Sequence, residues 1–173
     1  EYKVKNKIYD IYKKSGALLE GHFILSSGKH SSIYLQSAIV LSNPNYLQII
    51  GKELASKILE KITIKDIDVI VSPAMGGIVI GSKIGEELGK TSLFVERVNK
   101  KFELRRGFSI KKGSKILIIE DVITTGKSSL ECASCLEGLG GKVICIASIV
   151  NRLFKKNTFK YPYISLFKID API

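Results

Sequence analysis

The sequence predicts an α/β domain, a central parallel sheet with helices on both faces, and three observations predict it. Apolar runs near 68–71, "LFVERV" (93–98), "KILIIED" (115–121) and "VICIASIV" (143–150) lack a sustained apolar–polar alternation, so they read as strands buried on both faces. Helical patterns alternate with them along the chain. Finally, no repeat, low-complexity tract or Pro/Gly/Ser linker divides the 173 residues, and 45% hydrophobic with 25% charged residues suits one core.

The elements follow in order. Val4, Ile8 and Ile11 fall on one face of a first helix, and "HFILSSGKHSSIYLQ" (22–36) reads as a hairpin. Asn43-Pro44 is a cap and first-turn pair for a second helix, in which Leu47, Ile50, Leu54 and Ile58 recur at spacings of three and four. After the strand near 68–71 a helix begins at Gly77 and stops at Gly89. The strand 93–98 leads into "RVNKKFELRR" (97–106), which packs five cations into ten residues and carries little apolar anchoring, so it is expected to be a mobile loop. The strand 115–121, a helix ending at Gly138-Leu139-Gly140-Gly141 and the strand 143–150 complete the pattern. We divide the single domain into a hood over roughly residues 1–40 and a core over 41–173.

A formal net charge of +11 admits nucleic acid, an acidic surface or a small polyanion as partner, although many lysines lie on polar helix faces, where solvation explains them. The longest apolar region, 67–81, is broken by Ser72, Pro73 and Gly76-Gly77 and falls short of the ~20 continuous apolar residues of a spanning helix. Nothing near Glu1 resembles a secretion signal, so a cytoplasmic location is expected. Cys132 and Cys135 form a C-x-x-C without a second pair, and with Cys145 they read as reduced, packed thiols.

The stretch "KILIIEDVITTGKSS" (115–129) ends as a nucleotide-binding P-loop ends, yet the glycine that motif needs five residues before Gly126 is Asp121, with Glu120 beside it. Two carboxylates repel phosphate but accept hydrogen bonds from sugar hydroxyls. The ligand therefore has a diol near the acids and a phosphate near the glycine. In parallel sheets ligands bind beyond the carboxyl ends of the strands. The loops 73–77, 97–107, 120–128 and the chain from Asn151 onward should meet there. Gly76-Gly77 permits close backbone approach, 124–128 opens a helix with free N–H groups and hydroxyls, and Arg152 follows the last apolar strand.

"ILIIEDVITTGKS" resembles the phosphoribosyl-pyrophosphate signature of the type I phosphoribosyltransferases. With "GHFILSSGKHSSIYLQ", "SPAMGGIVIG", "ERVNKKFELRRGF" and "VNR" in the same order, the chain from about Gly16 to Arg152 resembles the orotate phosphoribosyltransferases among them. The resemblance implies the type I phosphoribosyltransferase-like fold, with the amino-terminal hood covering the base. It implies that Glu120 and Asp121 take the ribose diol, with Val122 and Ile123 part of the same substrate-binding stretch. Thr124, Thr125, Gly126, Lys127 and Ser128 would hold the 5-phosphate. Ala74, Met75, Gly76 and Gly77 would form the pyrophosphate loop, and Tyr34, Leu35, Thr124 and Arg152 would face orotate. Arg97, Lys100 and Lys101 would supply catalytic cations from a loop, 97–107, that closes over the neighbouring site of a homodimer. Asp121 would join them in catalysis. Mg²⁺ is implied as cofactor, held mainly by substrate oxygens and water.

Some relatives carry a lysine where Ser26 stands and another at Gly76, and their loop is longer and contains a histidine. Which loop cation is catalytic therefore stays open, as does any role for a tail beyond Ile173. Two other readings also stay open: a phosphoribosyltransferase for a purine or uracil, since the sugar-phosphate signature is shared, and an RNA-binding regulator on the same fold. Against the regulator, no interleaved aromatic and basic stacking motif is visible.

Overall fold

The computed structural model describes residues 6–25, 27–152 and 159–169. Val4, Ser26 and the chain end at Ile173 lie outside them.

Helix α1 (Lys7–Lys14) starts at Asn6, whose side chain accepts from the Ile8 and Tyr9 N–H groups, and it buries Ile8, Ile11 and Tyr12. Strands β1 (Leu18–Ile24) and β2 (His30–Leu35) form the expected antiparallel hairpin as a separate two-stranded sheet. A short helix α2 (Ser37–Leu41), which the sequence pattern did not disclose, returns the chain to the core. Helix α3 (Pro44–Leu59) begins as predicted: the Asn43 side chain accepts from the Asn45 and Tyr46 N–H groups and Pro44 occupies the first turn. Ile50, Leu54 and Ile58 are fully buried.

The main sheet comprises β3 (Val69–Pro73), β4 (Ser92–Val98), β5 (Lys101–Leu104), β6 (Lys115–Ile123), β7 (Lys142–Asn151) and β8 (Tyr163–Lys168), in the order β5-β4-β3-β6-β7-β8. Strand β5 runs antiparallel to β4, and the remaining pairs are parallel. Helix α4 (Gly77–Leu88) crosses from β3 to β4, and α5 (Lys127–Gly138) crosses from β6 to β7. Gly89 ends α4 at φ 66°, the left-handed conformation that glycine adopts without steric cost.

Successive residues of β6 serve opposite faces. Leu117 and Ile119 join α3 and α4 in one core, while Ile116 and Ile118 join Cys132, Ala133 and Leu136 of α5 in the other. That two-sided burial explains why the central strands lack alternation. Tyr12 packs edge-on against Phe167 of β8 at 5.2 Å, so α1 of the hood region is seated on the core. Cys132, Cys135 and Cys145 are free thiols, as expected, and burial pushes the Cys145 thiol up to about 11. Among the described residues no helix is long and apolar enough to cross a membrane.

The structure corrects the expectation for 97–106. Asn99 and Lys100 turn the chain at φ 51° and 70°, and β5 pairs back on β4 with Phe102 opposite Arg97. Phe102 is 8% exposed and belongs to the α5-side core, so the first half of the segment is an anchored hairpin. The K-F-E-L alternation carried that signal, but the density of cations obscured it.

Candidate functional site

The sheet order reverses between β3 and β6: the chain leaves β3 toward β4 on one side and leaves β6 toward β7 on the other. Loops diverging at such a point open a crevice. Here Ala74, Gly76, Glu120–Ser128 and Arg97 line a cleft of about 280 Å³. A second cavity, about 620 Å³, lies under the hood and is lined by Tyr34, Leu35, Ser37, Thr124 and Arg152 among others. The two share Asp121, Val122, Thr124 and Thr125. One molecule can therefore reach from the phosphate loop to the hood across the acidic pair.

Both helices that begin at the cleft differ from α1 and α3. Helix α4 has Gly76 and α5 has Gly126 at the cap position, and neither receives a side-chain cap. Among the described residues, their first-turn N–H groups are available to an anion apart from Lys127 N–H, 3.3 Å from Thr125 Oγ1, and Ile78 N–H, which donates to the Met75 carbonyl at 3.2 Å. Gly126 sits at φ 82°, and a Cβ there would lie 2.2 Å from the Phe159 ring. The loop thus needs glycine for two reasons at once.

The acidic pair is buried at the ends of these loops. Glu120 is 8% exposed, and burial first, then the adjacent Asp121 charge, pushes its carboxyl from an ordinary 4.5 up to about 9. Burial also raises Asp121, opposed by the Val122 N–H, which donates to Asp121 Oδ1 at 2.8 Å. The Asp121 charge thus disfavours a second charge on Glu120, and the raised Glu120 holds its proton more tightly. A sugar diol brings two hydroxyl donors to such a pair.

Not every expected residue reaches the cleft. Met75 is 85% exposed and does not line the cleft, and the 74–75 peptide is cis. Gly77 lies beneath the acidic pair, where an added Cβ would stand 2.9 Å from the Ile119 carbonyl and 3.2 Å from Glu120 Oε1. Arg97 lines the cleft of its own chain, whereas it was expected to serve a neighbour. Lys100 and Lys101 are exposed at the hairpin turn, and neither lines the cleft, because β5 pairing holds the turn beyond the strand ends. Arg152 is 4% exposed and donates from Nη2 to Ser31 Oγ at 2.9 Å and to the Ile33 carbonyl at 3.3 Å, tying the hood to the core. Sequence reasoning missed Phe102 and Ser129 in the cleft and Ser37 under the hood, since none belongs to a local motif.

The fold and the chain have clear relatives. Orotate phosphoribosyltransferase from Aeropyrum pernix superposes with a TM-score of 0.80 at 21% identity, covering 94% of this chain and 93% of that one. Adenine phosphoribosyltransferase from Thermoanaerobacter pseudethanolicus gives 0.73 at 20%, covering 93% and 99%. At such identities the likeness is one of fold and does not choose a base. The phosphoribosyl transferase domain model matches residues 36–172. Orotate phosphoribosyltransferase from Thermotoga maritima is 46% identical over 166 residues, 96% of this chain and 87% of that one. The chain belongs to the orotate phosphoribosyltransferase family. The relative from Campylobacter jejuni is 53% identical over 144 residues, covering 83% and 70%. The Thermotoga maritima match over 96% of the chain takes in the hood hairpin, most of which precedes the domain model's start at residue 36. Family membership therefore embraces the cavity under the hood as well as the phosphate cleft.

Proposed function

We infer that the chain transfers the phosphoribosyl group of 5-phosphoribosyl 1-pyrophosphate to orotate, giving orotidine 5′-monophosphate and pyrophosphate in pyrimidine biosynthesis. One observation carries this reading: the phosphate cleft and the hood cavity join at Asp121 and Thr124, and a buried arginine, Arg152, borders the hood cavity only. Sugar, phosphate and an anionic base each find complementary groups in the right order.

The geometry supports one set of roles. The 5-phosphate binds the uncapped start of α5 over 124–128, and the ribose diol donates to Glu120 and Asp121. The pyrophosphate lies along Ala74, Gly76 and Gly77 with Arg97 nearby. Orotate occupies the hood cavity, with Tyr34 and Leu35 over the base and Arg152 toward its carboxylate. A ring nitrogen attacks the anomeric carbon as the pyrophosphate bond breaks, and positive charge develops on the sugar while negative charge grows on the leaving group. Fixed donors and a cation at that group favour the transition state over the ground state. The hood limits access of water to the activated sugar.

Mg²⁺ fits this site as a guest of the substrate. Among the described residues no group of three or more His, Cys, Asp or Glu side chains stands ready to hold a metal alone, while Glu120 and Asp121 offer the hard oxygens this ion prefers. When bound with the substrate, Mg²⁺ supplies neutralising charge to the pyrophosphate. The same reading makes the protein a cytoplasmic homodimer, in which the exposed hairpin turn with Lys100 and Lys101 reaches a neighbour's site.

The test is loss of orotate absorbance on addition of phosphoribosyl pyrophosphate and Mg²⁺, with adenine, hypoxanthine, guanine and uracil as competing bases. Turnover with orotate alone supports the assignment. Preferential turnover of another base would replace it.

A further inference from the structure

We propose that the Ser37 hydroxyl is a base-recognising donor of the hood cavity, and that Tyr12 of α1 is the positioning residue that aims it at a carbonyl oxygen of the base. This rests on the reading above, in which that cavity receives orotate.

Ser37 opens α2, is 3% exposed, and lines the cavity under the hood together with Thr124 and Arg152. Its Oγ lies 2.8 Å from the Tyr12 hydroxyl. Tyr12 is fully buried, does not line the cavity, and packs its ring edge-on against Phe167 at 5.2 Å, so its hydroxyl stands behind Ser37 on a ring that the core holds still. Backbone bonds brace the same contact. Ala17 N–H donates to the Tyr12 carbonyl at 3.0 Å, and Gln36 N–H donates to the Ala17 carbonyl at 2.8 Å, which ties the residue before Ser37 to the end of α1.

The direction of the bond decides its use. A buried phenol O–H needs an acceptor, and among the described residues the Tyr12 hydroxyl meets only the Ser37 oxygen. Were Ser37 the donor, the Tyr12 proton would be buried without a partner. Tyr12 therefore donates, Ser37 accepts, and the Ser37 proton is the one left for the cavity. Burial raises the Tyr12 phenol well above its ordinary range, the Ser37 bond opposes this and the Asp121 charge adds to it, so Tyr12 keeps its proton at any working pH.

A neutral donor beside a cation sorts the polar edges of a ligand. Arg152 suits a carboxylate, and Ser37 suits a ring carbonyl. A buried hydroxyl placed to bond a ligand oxygen also discriminates against a base that lacks it, because the donor is then left unpaired. Adenine, which has no carbonyl oxygen, is a base such a donor rejects.

The experiment is initial-rate kinetics of the full-length protein with phosphoribosyl pyrophosphate, orotate, and orotate analogues in which sulfur, a weaker acceptor, replaces a ring carbonyl oxygen. Ser37→Ala should raise KM for orotate by about three- to tenfold, the range of one neutral hydrogen bond, and leave KM for phosphoribosyl pyrophosphate unchanged. Ser37→Cys, nearly the same size but a weaker donor, should fall between. Tyr12→Phe keeps the ring against Phe167 and should raise KM for orotate by about two- to fivefold, yet add less than about twofold in a Ser37→Ala background. The wild-type protein should prefer orotate to one of the thio analogues, and Ser37→Ala should shrink that preference by about threefold or more. Unchanged KM for orotate in Ser37→Ala, an equal rise for both substrates, an undiminished preference for oxygen, or additive effects of the two changes would each overturn the proposal. Preferential turnover of another base would overturn the function above, and the same split in KM, read with that base, would still decide the relay.

Discussion

Burial leaves Arg152 with Nη2 bonded to the hood while its Nε has no partner among the described residues, an incomplete set for a cation that is 4% exposed. A ligand carboxylate in the adjoining cavity would complete it. Arg152→Ala should therefore raise KM for orotate by about tenfold or more, with a smaller effect on phosphoribosyl pyrophosphate. Ser31→Ala, which removes a hood bond alone, is the control in the same assay. Equal effects of Arg152→Ala on both substrates would leave the arginine as a strand-end anchor only. Glu120 sets a pH dependence. Its carboxyl is ordinary when unfolded and raised to about 9 in the folded protein, so the folded state holds its proton more tightly. The stability it contributes is present in full below about pH 4.5 and is lost as pH rises toward 9. The melting temperature of the ligand-free protein should fall across that window, and Glu120→Gln should flatten the fall; parallel curves would show that Glu120 ionises without penalty.

The two helices at the cleft start on glycine because the site needs bare backbone there, while α1 and α3, whose starts lie outside the cleft, carry asparagine caps. Gly76 has an ordinary φ of −61°, so its requirement is one of space: an added Cβ would lie 2.9 Å from both Asp121 carboxylate oxygens. Gly76→Ala should displace Asp121 and lower kcat/KM for phosphoribosyl pyrophosphate by about tenfold, since loss of one charge-assisted hydrogen bond costs about 1.5–3 kcal/mol. Steady-state kinetics with an unchanged melting temperature would support that cause, whereas wild-type kinetics would show the acid to be freely adjustable.

For the whole molecule, mixed dimers test which subunit's site the hairpin cations Arg97, Lys100 and Lys101 serve. Subunits carrying Lys100→Ala and Lys101→Ala, mixed with Asp121→Asn subunits, should recover activity approaching about a quarter of wild type on random exchange, because one site in each mixed dimer joins a sound acid to a sound turn. Subunits carrying Arg97→Ala should recover activity with the same partner in the same way if the arginine serves the neighbouring site, and no recovery would confine its work to its own chain. Native mass spectrometry verifies exchange. Failure of the lysine pair to recover would confine the hairpin's work to its own subunit.

The central strands were legible because sheets buried on both faces write continuous apolar runs, as in β3 and in residues 116–119 of β6. The acidic pair and phosphate loop were legible because their residues are contiguous and their chemistry is stated by type and spacing. Other elements escaped. Helix α2 is five residues long, too short to show a period, β5 hid its alternation among cations, and β8 went unread although Pro162 stands directly before it. Only the tertiary structure decided which side chains share a site. Glu131 lies beyond the motif and meets Arg97 across 34 residues of sequence, and Arg152 meets Ser31 across 121. Such pairings depend on the strand order, which brings β4 beside α5 and the hood beside the end of β7. The residue pattern by itself determined the chemistry each loop offers; the folded sheet determined which offers are combined, because long-range packing, not local spacing, brings those loops within bonding distance.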